Sequence, residues 1–418
     1  MNSPSSPTCY LSDTSFNHTM PNSNRVDIVS IPAIDDLINS YLTKPAHGLT
    51  GVAVMAVNKE GEAIYSNALG KRSLDPAKDE PMTLDTVHWI ASQTKIITAV
   101  AVMQCVERGQ IGLDDPVGRI CPELAEPMII EGLDEHGTPI MRKAEKALTL
   151  RNLLSHTSGF AYPHGNTLLE GWLKAMGRSN NHMTFNIEDF KLPLVFEPGS
   201  SWVYGVGTDW AGQVVERLNN CTLGEFMENI WKPLGMTDTT FHPETRPDLM
   251  SRMVGTCNRM SDGTLVNGVH RVPMPTPSDI GGSGCYSTCQ DFIKLLTAIL
   301  QDGGAILKKE SVDEIFKPQL DRNAKEALAA LRSVYAGVPD EIEMNFGLTT
   351  ALNLDPIPGV RAAGTGSWGG MPMLGWWVDR ESGVAATIFQ QVLPPQDKVS
   401  GTFMMEFEDA LYRNMRGF

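Results

Sequence analysis

The 418-residue chain has no run approaching the ~20 consecutive apolar residues that a membrane helix needs. Basic charge is also scarce: 34 Lys and Arg face 49 Asp and Glu, for a net charge of −15. Nucleic acids and anionic membranes are bound through basic patches, so neither is expected as a partner. The seven cysteines are odd in number and scattered, with no CxxC pair, which does not read as a disulfide framework. Cys285 and Cys289 are four apart and fit one helix face, but no further ligands lie near them, so no metal is expected. Residues 1–25 are rich in Ser, Asn, Pro and Thr and lack the apolar segment of a secretory signal. They are expected to form a disordered tail, and the protein is expected to be cytoplasmic. Several catalytic signatures are missing too. No serine has glycine at both −2 and +2, and there is neither HExxH nor GxxxxGK[ST].

What is present is a chain longer than one compact core usually holds, so two lobes are expected. "IPAIDDLINSYLTK" (31–44) has the spacing of an amphipathic helix. "GVAVMAVNKEGEAIYSNALGKR" (51–72) predicts two strands around a turn at Lys59–Gly61. A helix is predicted from about 92 to 108, and shorter ones over 209–219, 223–231 and 287–300. Strands are predicted at 345–352, 373–379 and 383–392, with a closing helix at 401–415. Segment 121–148 reads as a loop or short hairpin. Strands at both ends and helices between them predict an α/β (α+β) architecture. Residues 26–110 and 281–418 would form one lobe around an inserted, mostly helical lobe of residues 111–280, with a cleft between them.

Ser92-Gln93-Thr94-Lys95 opens an otherwise apolar helical stretch. Residues three apart share a helix face. A serine hydroxyl becomes a nucleophile when a base takes its proton, and a partly buried lysine amine is able to do so. The alternative reading is an N-cap serine and a snorkelling lysine. Two further stretches favour chemistry. "EPGSSWVYGVGTDWAG" (197–212) places Tyr204 just ahead of a helix. "GTGSWGGMPMLGWWVD" (364–379) puts two glycines at a strand edge, where backbone N–H groups are open to a substrate.

With these residues the chain resembles the serine β-lactamase and penicillin-binding-protein superfamily, in its esterase and lovastatin-type acyltransferase branch. The matching landmarks are "HWIASQTKIITAVAVMQCVERGQIGLDDPV", "LTLRNLLSHTSGF", "WVYGVGTDWAGQVVER", "PLGMTDTTF", "GGSGCYST" and "WGGMPMLGWWVD", spread over roughly residues 33 to 415. The resemblance implies a β-lactamase-like fold, with an antiparallel sheet flanked by helices. It also implies Ser92 as acylated nucleophile, Lys95 as its base, Tyr204 as a proton-sharing partner, and the backbone N–H groups of Ser92 and Met371 as the oxyanion hole. Trp368-Gly369-Gly370 would stand where β-lactamases carry Lys-Thr-Gly, as a substrate-binding rim. The chain departs from the β-lactamase pattern in having no asparagine after Tyr204 and neither Lys nor Thr at the rim, which disfavours β-lactam hydrolysis.

The expected activity is acyl transfer from an ester or thioester, free or carrier-bound, to a small-molecule alcohol, within secondary metabolism. An esterase is the alternative; a β-lactam hydrolase or a non-catalytic binding protein of the same fold stands further back. No cofactor is expected. Trp202, Trp210, Trp376 and Trp377 are read as core in preference to cavity lining. His156 is read as a residue of a helix-end turn, and His88 as a packing or strand-end residue. Tyr162 and the following residues, to about 180, are read as a lid over the acyl site.

Overall fold

The computed structural model describes residues 27–44, 48–179, 182–329 and 338–416. The expected tail over 1–25 lies outside the described residues.

A seven-stranded antiparallel sheet forms the base of the molecule. Its strands are β1 (Gly51–Asn58), β2 (Ala63–Gly70), β3 (Met344–Phe346), β4 (Ala351–Asn353), β5 (Gly366–Gly370), β6 (Leu374–Asp379) and β7 (Val384–Phe389), in spatial order β2-β1-β7-β6-β5-β4-β3. β1 is apolar along almost its whole length because both of its faces are covered. Its side chains alternate between two cores. Val52, Val54 and Ala56 join the helices α1 (Pro32–Leu42) and, at the end of the chain, Lys398–Arg416, through Ile34, Ile38, Phe403, Phe407 and Leu411. Ala53, Met55 and Val57 face the larger core, which contains α2 (Thr94–Glu107) and the helix Cys289–Leu300.

From Thr94 to Cys105 every residue of α2 is buried, so this helix runs through the interior instead of lying on it. The remaining helices of consequence are α3 (Thr167–Ala175), α4 (Gly207–Asn219), α5 (Leu223–Leu234), α6 (Cys289–Leu300) and α7 (Lys398–Arg416). α4 and α5 both pack against α2. Segment 121–148 contains the expected hairpin, with strands Met128–Leu133 and Pro139–Lys143. α3 lies beside it so closely that a Cβ at Gly171 would sit 2.3 Å from Leu133 Cδ1.

Three sequence expectations are corrected. The single strand over 345–352 is instead the hairpin β3–β4, because the chain reverses at Gly347–Thr350 with Thr349 at φ 67°. The strand over 383–392 ends at Phe389, and Val392–Leu393 pairs in parallel with Cys257–Asn258 in a separate small sheet. Cys285 precedes the short strand Tyr286–Thr288, whereas Cys289 opens α6, so the two cysteines do not share a helix. The four tryptophans read as core are all buried. No described helix is long and apolar enough to cross a membrane.

Candidate active site

α2 does not begin at Ser92. A single 3-10 turn, Ala91–Gln93, precedes it, and Ala91 sits at φ 45°. That left-handed conformation costs a non-glycine residue about 1–2 kcal/mol. It turns the chain out of the strand Val87–Trp89 and leaves Ser92 half-buried at the head of a buried helix. Backbone N–H groups in a first turn have no intrahelical acceptor and face outward.

Lys95 follows one turn later and is fully buried. Three oxygens surround its amine: the Gly282 carbonyl at 2.7 Å, Ser92 Oγ at 3.3 Å and Tyr162 Oη at 3.3 Å. The amine also lies 4.8 Å from the centre of the Tyr204 ring and 5.7 Å from that of Tyr162. Tyr204 Oη lies 2.7 Å from Ser92 Oγ; both are hydroxyls, so the shared proton has a place on either oxygen. Trp368 Nε1 donates to Tyr204 Oη at 3.3 Å, closing a continuous chain from β5 through Tyr204 and Ser92 to Lys95.

The end of β5 reaches the Ser92 turn because Gly370 has no side chain. A Cβ there would come 2.5 Å from the Ile90 carbonyl oxygen. Met371 follows immediately in sequence. β5 is anchored from behind by Arg361, which donates to Ser367 Oγ at 2.9 Å and pairs with Glu408 of α7.

Aromatic rings wall the group. Tyr204 stands 5.2 Å from Trp368 and 5.4 Å from Tyr162, centroid to centroid. His156 meets Tyr204 edge-on at 4.7 Å, in a turn where its own φ is 58°. Burial, and secondarily the Lys95 charge, hold its imidazole well below the ordinary histidine range, so it stands neutral. Neither ring nitrogen has a hydrogen-bond partner among the described residues. His88 is likewise a buried packing residue, with Nδ1 against the Thr86 carbonyl at 3.0 Å.

The structure therefore brings together Ser92, Lys95, Tyr204 and Trp368; Met371 follows Gly370 at the end of β5. It adds three residues with no role in the chemistry expected from sequence. Tyr162 reaches Lys95, while α3, which follows it, rests on the hairpin. Gly282 supplies the carbonyl that holds Lys95. Asp209, in the first turn of α4, accepts the Gly282 N–H at 2.7 Å. Burial pushes the Asp209 carboxyl up to about 6, against the opposing pull of Lys95. The one sequence signal for Asp209 is a carboxylate within Gly207–Val215, a run that is buried throughout.

A family model described as Beta-lactamase matches residues 34–406. The chain belongs to the β-lactamase family. Among β-lactamase-family relatives, a lovastatin esterase of Penicillium rubens is 34% identical over 87% of this chain and 94% of its own. A monacolin J acid methylbutanoyltransferase of Aspergillus terreus is 32% identical over 87% and 92%. A variant of the simvastatin synthase of Aspergillus terreus superposes with a TM-score of 0.83 at 30% identity, covering 92% of this chain and 99% of that one. The fold and family expected from the landmarks are thus borne out, and the expected class, serine acyltransferase or esterase, is that of these relatives.

Proposed function

We propose that the protein is a serine acyltransferase of secondary metabolism that moves an acyl group from an ester or thioester to a small-molecule alcohol through an acyl-enzyme on Ser92. The observation that carries this reading is the hydrogen-bonded group of Ser92 Oγ, Lys95 Nζ and Tyr204 Oη. In the first half-reaction the Ser92 O–H bond breaks. Its proton passes to Lys95, directly or through Tyr204, while Oγ bonds to the acyl carbon. The Ser92 and Met371 amides take the charge on the carbonyl oxygen; one such donor is typically worth about 10²–10³ in rate. The bond to the leaving oxygen or sulfur then breaks, and the leaving group carries away the proton. In the second half an alcohol repeats the steps in reverse.

If the chain divides as expected, residues 26–110 with 281–418 supply Ser92, Lys95 and Trp368, and residues 111–280 supply Tyr162 and Tyr204. The Trp368-Gly369-Gly370 rim carries no charge, which suits an uncharged acyl chain. A hydrolytic second half, as the esterase relative's name describes, uses the same acyl-enzyme. A carrier-bound thioester remains one form of the donor.

The test is intact-mass analysis after mixing with an activated acyl thioester, followed by product analysis with and without added alcohols. Ser92 is expected to gain one acyl mass, which an alcohol then removes as its ester. Ser92→Ala should show neither adduct nor turnover while keeping the wild-type thermal transition. An adduct on another residue, or turnover by Ser92→Ala, would overturn the reading.

A further inference from the structure

The segment Gly281–Cys285 crosses the first two turns of α2 as a strap, and nearly every polar group of it is committed. The Gly281 carbonyl accepts from Thr98 Oγ1 at 2.6 Å, and the Gly282 carbonyl from Lys95 Nζ at 2.7 Å. The Ser283 carbonyl accepts from Trp89 Nε1 at 2.6 Å, and the Cys285 N–H donates to Thr94 Oγ1 at 3.1 Å. The Gly282 N–H donates to a carboxylate, Asp209 Oδ1, at 2.7 Å. Glycine is required for this approach, since a Cβ at residue 282 would stand 2.5 Å from that oxygen.

The peptide joining Gly281 to Gly282 is therefore gripped at both ends, its oxygen by Thr98 and its N–H by Asp209. The next carbonyl along, that of Gly282, points at the Lys95 amine. Asp209 is fully buried, and its second oxygen has no hydrogen-bond partner among the described residues. An uncompensated buried carboxylate is costly to a fold. The one opposite charge acting on it is Lys95 of α2. The other titratable groups at the amine are Tyr162 and Tyr204, with neutral His156 behind Tyr204. None of these offers a negative charge while protonated as described.

We infer that Asp209 is a positioning residue for Lys95: it clamps the Gly281–Gly282 peptide so that the Gly282 carbonyl holds the amine, and it balances the ammonium formed when Lys95 takes the Ser92 proton. The inference rests on the acyl-enzyme reading. It treats a costly buried charge as one held for the moment of proton transfer, when the Ser92 O–H bond breaks and Lys95 becomes cationic. Asp209 touches neither substrate nor Ser92, so its influence falls on the rate of the step and not on binding.

The experiment is stopped-flow acylation by p-nitrophenyl butyrate across pH, on the full-length wild type, Asp209→Asn and Thr98→Val. Asp209→Asn keeps an oxygen for the Gly282 N–H but removes the charge. Groups that orient a reacting side chain are typically worth about 10- to 100-fold, and a loss in that range is expected in the acylation rate, with KM unchanged. Without the negative charge the rising limb of the pH–rate profile should move to lower pH. Thr98→Val loosens the clamp and leaves the charge, so a loss of about two- to tenfold is expected with the limb unmoved. Wild-type acylation by Asp209→Asn, or a loss of rate with the limb in place, would overturn the inference. If Asp209→Asn fails to fold, wild-type kinetics in Thr98→Val overturn the clamp. Should the wild type itself never acylate on Ser92, the acyl-enzyme reading fails first, and visibly so.

Discussion

Two buried basic side chains lie on opposite faces of the same sheet and are treated in opposite ways. Arg361, behind β5, pairs through two nitrogens with the two oxygens of Glu408, donates to Ser367 Oγ and lies 5.6 Å from the Trp377 ring. Burial works against its charge, but Glu408, and more distantly Asp379, hold the guanidinium firmly protonated. Asp379 is itself engaged, accepting from Tyr412 Oη at 2.9 Å and the Ala362 N–H at 2.9 Å. Lys95, in front, has three neutral oxygens around it, and the nearest balancing charge stands one residue further out at Asp209. A guanidinium in a fixed fork with its carboxylate ties elements together and is never deprotonated. An amine among hydroxyls can take up and release a proton without breaking an ion pair. The rear cluster is built to hold β5 still, and the front cluster to let a proton move along it.

Lys95→Met should show the largest effect that bears on this contrast. Methionine is about as long and fills irregular space well. Acylation should fall by about 10²–10⁴, as for loss of a general base. The thermal transition should fall, because Asp209 loses the opposite charge acting on it, but by less than in a variant that breaks a contact ion pair, since the amine and the Asp209 carboxylate are not in direct contact. Glu408→Gln should do the reverse. Leaving Arg361 buried with a neutral partner is expected to cost about 3–5 kcal/mol in urea unfolding. The kcat of the folded fraction should be unchanged. Equal losses of stability in the two variants, or an active Lys95→Met, would erase the distinction between the two faces.

The same contrast explains what the sequence revealed. β1 and β2 were legible as two runs around a turn, with Gly61 at φ 85° between them, and α1 and α7 by the helical spacing of their apolar residues. The β3–β4 hairpin was not legible. "NFGLTTAL" carries no strong turn pair, and its reversal uses a threonine at positive φ, which no residue preference announces. Ser92, Lys95, Tyr204 and Trp368 stood out because each lies in a short motif whose side chain carries chemistry. Tyr162 meets Lys95 from 67 positions away and Gly282 from 187, and Gly282 contributes only a carbonyl, which every residue possesses. A backbone acceptor leaves no mark in a sequence beyond the glycines that let it approach. Asp209 was hidden differently: it sits where a helix ordinarily carries an acidic first-turn residue, and only its burial distinguishes it.

A third solution to a buried base sharpens the comparison at smaller scale. His88 is fully buried, with Nδ1 on the Thr86 carbonyl and its ring edge-on to Phe389 at 5.2 Å. Burial lowers its pKa to about 4, against a modest opposing pull from the Thr86 bond, so the fold keeps this base by leaving it uncharged. An unfolded histidine takes its proton near pH 6.5. Above that pH neither state is protonated, and the contribution of His88 to stability is complete. As pH falls from about 6.5 to about 4, the unfolded chain binds a proton that the native state refuses, and stability drains away at up to about 1.4 kcal/mol per pH unit. That amounts to roughly 3 kcal/mol by pH 4. His156 is shifted in the same direction and extends the loss to lower pH. His88→Asn keeps a donor for the Thr86 carbonyl and removes the titration. Its urea unfolding free energy should therefore decline less steeply than the wild type's between pH 6.5 and 4, by about one proton's worth of slope, whatever its stability at pH 7. Parallel curves for the two proteins would mean that His88 is protonated in the native state, and its surroundings would then have to supply the acceptor that the buried face of Phe389 does not.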